Sequence, residues 1–170
     1  MKKLFTTASI LVGLIVCTAA SVSAQATATA TATATIVTPI SITKTVDMNF
    51  GNVAVTTTAG TVVLTPAGVR TTTGGVTLPA VTGTVTAATF TVTGEGAYTY
   101  AITLPSSDLT ITSGANTMIV NAFTSTPSAT GTLTAGTQTL SVGATLNVSA
   151  SQAAGTYVSA TPFNVTVNYN

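Results

Sequence analysis

The sequence contains no histidine and no tryptophan, one cysteine, and charged side chains at only 4% of its positions. Each shortage excludes something. Without histidine, the commonest general base and metal ligand is missing. The cysteine, Cys17, lies with Lys2 and Lys3 in the first 24 residues, which read as an export signal. That segment has a charged start, an apolar run from Ile10 to Val16 and a small-residue exit at Val22-Ser23-Ala24. A lipid-anchored role for Cys17 is disfavoured by Val16, which precedes it where a small residue is needed. Cleavage after Ala24 leaves Gln25 to Asn170, 170 − 24 = 146 residues, enough for one domain with its own core. That chain has no thiol, and therefore no disulfide and no thiolate metal site.

After the cut, Lys44 and Arg70 stand against Asp47, Glu95 and Asp108, so two cations and three anions give a net charge of −1. Nucleic acid and anionic membrane surfaces attract clustered Lys and Arg, and no cluster exists, so neither is expected as a partner. No later stretch reaches the roughly 18 apolar residues of a membrane helix, so no integral membrane segment is expected after signal removal.

The three acids are too scattered for a carboxylate pair, and no serine or threonine has a histidine or a plausible lysine base to activate it. The expectation is a protein that is not an enzyme, with no catalytic residue, no cofactor and no metal site. One acid per loop is too few for calcium. The "GEGAY" run and Gly74-Gly75 read as turns rather than phosphate cradles, since no Lys-Ser/Thr follows and no helix opens after them. The "NVS" at Asn147 and "NVT" at Asn164 match the glycosylation pattern by composition alone.

What the chain does have is threonine, 42 residues of it. Thr is β-branched and offers a methyl and a hydroxyl to a pleated surface, so an all-β chain is expected. From Ala26 to Phe50 the even positions are mostly apolar, and the odd ones, except Val37 and Pro39, are Thr, Ser, Asp or Asn. This period of two is too long for one strand, and Pro39 divides it. Residues 25–38 become an alternating Ala/Thr N-terminal extension, 39–170 the folded domain, and 40–50 its first strand, closed by a turn at Gly51-Asn52.

Further strands are read at "GTVVLTP", "GTVTAATFTVTG", "AYTYAITLP", "LTI", "NTMIVNAF", "GTLTAGTQTLSV" and "ATLNVSA". Gly74-Gly75, Gly94-Glu95-Gly96, Pro105, Ser113-Gly114, Pro127 and Gly155 punctuate them. The closing "FNVTVNYN" puts Phe163, Val165, Val167 and Tyr169 on one face. Short strands at this spacing predict a sandwich or barrel. Large core candidates are Phe50, Phe90, Tyr100, Met118, Phe123 and Phe163. Lys44 stands on the apolar phase of its strand and is read as marking a solvated edge.

Taken together, "ATATATATIVTPISITKT", "MNFGNV", "GTVVLTPAG", "FTVTGEGAYTYAITLP", "MIVNAF", "LSVGATLNV", "QAAGTY" and "FNVTVNYN", in this order, resemble a family of secreted bacterial proteins, domain of unknown function 4402 (DUF4402). More distantly the pattern is similar to fimbrial (pilin) subunits that a periplasmic chaperone and an outer-membrane usher assemble. The second resemblance implies an immunoglobulin-like antiparallel β-sandwich missing one strand, an extended N-terminal segment, and a last strand with a penultimate aromatic after an upstream Gly. Tyr169 and Gly155 would fill those last two places, the Gly at only approximate spacing. It also implies other copies or related subunits as partners, with a chaperone and usher, and a location in the periplasm, at the cell surface or outside the cell.

A sandwich lacking a strand exposes backbone groups and an apolar groove that a neighbour's extended peptide can complete. The donor face would be Ala28, Ala30, Ala32, Ala34 and Ile36, and the acceptor edge Phe163, Val165, Val167 and Tyr169. Methyl groups bury little area at roughly 25 cal/mol per Å², so backbone pairing would have to supply much of the hold. The alternatives are a low-complexity spacer and a first strand paired within its own domain. A different class is a self-contained secreted module binding sugar, ice or protein through Thr-x-Thr pairs such as Thr84/Thr86, Thr91/Thr93, Thr110/Thr112 and Thr132/Thr134. No fixed-period repeat stacks these pairs, and aromatic faces for sugar are sparse.

Overall fold

The structure, a computed structural model, describes residues 24–170, and among them it is all-β with no helix. Most of the expected export signal therefore lies outside the described residues. The chain divides into two units after Thr35. In the first, residues 24–35 are exposed and carry no strand.

The second unit, Ile36–Asn170, holds ten strands in two antiparallel sheets, a β-sandwich. The larger sheet contains β1 (Ser41–Val46), β2 (Ala54–Leu64), β3 (Arg70–Thr77), β4 (Ala88–Thr93), β6 (Leu109–Ser113), β7 (Asn116–Thr126) and β9 (Thr137–Val148). The smaller sheet runs β10 (Thr166–Tyr169), β5 (Thr99–Thr103), β8 (Thr130–Thr132).

β9 organises the larger sheet. Its even positions Leu140, Val142, Ala144, Leu146 and Val148 are buried, while its odd positions carry hydroxyl or amide side chains, apart from Gly143. Along one side β9 pairs with β7. The other side is shared, with β4 pairing to residues 137–142 and β2 to residues 144–148. Two cores result. One gathers Phe90, Val92, Tyr100, Leu133, Leu140 and Val167; the other gathers Val62, Val76, Val120, Leu146 and Val148. Of the large core candidates, Phe90 and Tyr100 are buried, while Phe50, Met118, Phe123 and Phe163 are half-buried and pack against these clusters.

Several boundaries differ from the sequence reading. Gly74-Gly75 is not a turn between strands but lies inside β3, opposite a bulge between Val55 and Gly60. A Cβ on Gly75 would overlap the Thr58 carbonyl, so the missing side chains admit a close backbone approach. The "GTLTAGTQTLSV" run splits at a turn into β8 and β9, and β9 then continues through Gly143 to absorb "ATLNVSA". The first strand ends at Val46 rather than Phe50, leaving Asn49 an isolated bridge to Thr86.

Lys44 also finds its place. It sits 2.6 Å from Asp47, both exposed, where a register irregularity between Lys44 and Val46 interrupts the edge strand β1. An exposed pair of this kind contributes at most about 1 kcal/mol.

Candidate strand-pairing edge

Five strands lie at ends of the pairing orders, and four are guarded in ways known to discourage further pairing. β1 carries Lys44 and an irregular register. β3 begins at Arg70 and lies across from a bulge. The outer side of β6 is capped by Val158, whose N–H donates to the Thr112 carbonyl at 3.0 Å and whose carbonyl accepts from Thr112 at 2.9 Å. β8 is three residues long. β10 differs, being uncharged, regular in register, and unpaired by any strand on its far side among the described residues.

The backbone of β10 has a definite polarity. Asn170 N–H donates to the Thr99 carbonyl at 3.3 Å, and Ile102 N–H turns away to the Ala129 carbonyl at 2.8 Å. Antiparallel pairs alternate between bonded and non-bonded, so Val167 and Tyr169 direct their N–H and C=O groups to the open side.

The four residues of the expected acceptor edge share a face. Val167 is buried in the core, opposite Ile102. Phe163, Val165 and Tyr169 are half-buried against it. Phe163 lies 6.5 Å from Phe90 and 5.0 Å from Phe123, ring centre to ring centre. Beside Phe163 a cleft of about 590 Å³ opens, with Leu104, Pro105 and Pro162 among its walls. The strand itself covers only Thr166–Tyr169, so Phe163 and Val165 approach it as irregular chain.

The expected donor residues Ala28, Ala30, Ala32 and Ala34 are exposed within residues 24–35. Ile36, the first residue of the second unit, is 97% exposed. A bare isoleucine of this kind gains about 1.5–3 kcal/mol when covered.

Three residues meet at the far end of β10 that the sequence reading did not connect. Tyr169 O–H donates to the Thr38 carbonyl at 2.8 Å, and its oxygen accepts the Glu95 N–H at 2.6 Å. Thr38 N–H donates to Glu95 Oε2 at 3.0 Å. The Thr38 amide, with the Thr38 hydroxyl adding to it, holds the Glu95 carboxyl below the usual glutamate range. The Tyr169 ring packs edge-on to Tyr98 at 5.6 Å. Reading "GEGAY" as a turn is correct for the backbone, since Tyr98 N–H returns to the Glu95 carbonyl at 3.1 Å. Glu95 as an isolated acid in a nearly charge-free chain was the available signal; its partners lie 57 and 74 residues away.

The outward face of the larger sheet is a second feature. Ser41, Thr43 and Thr45 of β1, Thr89, Thr91 and Thr93 of β4, and Thr137, Thr139 and Ser141 of β9 fall in neighbouring rows. Rows lie about 4.8 Å apart across strands and about 6.6 Å along them. Ser41 and Thr93 share a hydrogen bond at 2.7 Å, as do Thr45 and Thr89, whereas Thr137, Thr139 and Ser141 make no side-chain hydrogen bond among the described residues. Of the four expected Thr-x-Thr pairs, only Thr91/Thr93 belongs to this grid. Thr84 lies outside any strand, and the Thr110/Thr112 and Thr132/Thr134 pairs sit on or beside β6 and β8.

Among the described residues no group of three or more His, Cys, Asp or Glu could hold a metal ion. Burial pushes the Tyr100 phenol up, and its hydroxyl donates to Gln138 Oε1 at 2.7 Å within the wall of the sandwich.

A family model described as "Domain of unknown function (DUF4402)" matches residues 40–169, from the residue before β1 to the end of β10. The chain belongs to the DUF4402 family. The match covers the sandwich and excludes the Ala/Thr segment. No curated protein and no solved structure matches this DUF4402 chain.

Proposed function

We propose that this DUF4402 protein is an exported, non-enzymatic structural subunit of a fimbria-like or other surface assembly, linked by donation of residues 26–36 to the β10 edge of another copy. The observation that carries the reading is the β10 edge, regular, uncharged and open, in a protein whose other end strands are guarded. Support also comes from Ile36, a large apolar side chain left almost wholly in solvent.

The donor alternates small apolar and hydroxyl residues, carries no charge, and would pair through the outward N–H and C=O groups of Val167 and Tyr169. Export to the periplasm or cell surface, an immunoglobulin-like strand order, and handling by a chaperone and usher belong to the same proposal. Material sheared from exporting cells, run unboiled on a denaturing gel, tests it. A heat-sensitive ladder that disappears on deletion of residues 26–37 is expected; monomer bands for both proteins sink the reading.

The Ser/Thr grid favours a second reading, a secreted module that binds a ligand through that face. Its nine rows-and-columns positions hold no charge and no aromatic ring. Replacing Thr91 and Thr139 with Lys would then abolish retention on the ligand while the ladder experiment gave monomer throughout.

A further inference from the structure

We infer that Gly94, Glu95 and Tyr169 form a backbone-gripping site that holds the root of the N-terminal segment at Thr38, tying the accepting edge and the donated segment together at one residue, Tyr169. The inference deepens the strand-donation reading and rests on it for its role in assembly. The grip itself stands on geometry alone.

Both main-chain polar groups of Thr38 are taken, the N–H by Glu95 Oε2 and the carbonyl by the Tyr169 hydroxyl. The Thr38 hydroxyl adds to the hold on Glu95, but the two main-chain contacts do not depend on it. A site that reads one N–H and one C=O recognises extended backbone rather than a particular residue, as strand pairing does.

The site is also built from behind. The Glu95 N–H fixes the Tyr169 oxygen as an acceptor, which leaves its proton free to point at Thr38. Gly94 makes room for it. A Cβ at this position would overlap the Tyr169 hydroxyl and lie 3.0 Å from Leu133 Cδ1. Tyr98 holds the ring edge-on from the side.

Tyr169 therefore has two employments. Its main chain belongs to the open side of β10, where a neighbour's strand would pair, while its hydroxyl holds the point at which the subunit's own segment begins. In an assembly, a pull on the received strand reaches the donated one through Tyr169 and Thr38, a route of two residues.

The test uses Tyr169→Phe and Glu95→Ala in the full chain and two readouts. In the monomer, hydrogen exchange at the Thr38 amide should rise on the order of tenfold in Glu95→Ala, which removes its acceptor, and by a smaller factor in Tyr169→Phe, which removes the donor to the Thr38 carbonyl. Amides of β5 should keep their parental rates. Unchanged exchange at Thr38 overturns the grip, as does an equal rise throughout β5 and β10, which would make Tyr169 a general support of the sheet. In assembled material the variants should form ladders that dissociate at a lower temperature than the parent. Ladders of parental heat stability overturn the tie. If the parent forms no ladder, the donation reading fails and the tie falls with it, while exchange at Thr38 still supports or overturns the grip.

Discussion

At the scale of residues, side chains are small and the consequential contacts are few and specific. Gly94 is the clearest. The Tyr169 hydroxyl occupies the space a Cβ would need, so Gly94→Ala must displace the ring or the turn. Overpacking of this kind costs about 1–3 kcal/mol, and at about 2–4 °C per kcal/mol for a domain of this size the melting temperature should fall by several degrees. Calorimetry checks it, and a melting temperature within about 1 °C of the parent would mean the ring moves freely.

Glu95 gives a pH prediction whose sign follows from its lowered titration. A carboxyl depressed in the folded state adds stability above its ordinary range and loses it as pH falls through the depressed value. Protection of the Thr38 amide, corrected for intrinsic exchange, should hold at neutral pH and decline only on acidification below the ordinary glutamate value of 4.5. The Tyr169 hydroxyl accepts from the Glu95 main chain with Tyr98 against its ring, while Lys44 of β1 and Asp47 just beyond it bind each other. Protection that is flat through the acid range would show that the carboxylate does not hold Thr38.

At the scale of elements, the contrast is between strands that end a sheet safely and one that does not. A lysine, a bulge, a bridging residue or extreme shortness protects the other ends, the devices by which natural sheets avoid association. β10, four residues long and continued on its face by Phe163 and Val165, carries no charge, bulge or bridging residue. Ile36→Asp probes the proposed occupant of its edge. Because Ile36 is 97% exposed, thermal stability of the monomer should stay within about 0.5 kcal/mol of the parent. The same change places a charge on the face meant for the groove, so ladders should be lost or dissociate without heating. Ladders unaffected by the aspartate would remove residue 36 from the interface.

At the scale of the whole molecule, charge is rare, and among the described residues every charged side chain has a polar partner. Lys44 binds Asp47, Arg70 donates to the carbonyls of Phe50 and Asn52, Glu95 accepts from Thr38, and Asp108 accepts from Asn121 at 3.1 Å. Little of the stability can be long-range electrostatics. Raising ionic strength from about 0.01 to 0.15 M shortens the screening length from about 30 to 8 Å, yet the melting temperature should move by less than about 2 °C. A larger shift, in either direction, would reveal a charge interaction that these contacts do not contain. The same scarcity leaves little net repulsion between copies, which suits a protein that assembles and endangers one with an unpaired edge.

The sequence by itself determined the all-β class and the alternating faces of the strands, because these depend on residue type and a period of two. It also carried enough ordered motifs to resemble the family that residues 40–169 then matched. It could not determine that Gly74-Gly75 lies within β3, or that one long β9 serves two cores, because glycine reads as a turn until the backbone lying against it is known. Nor could it join Thr38, Glu95 and Tyr169. Hydrogen bonds across 57, 74 and 131 residues leave no periodicity in the chain, and only the packing of one sheet on the other decides which ends meet.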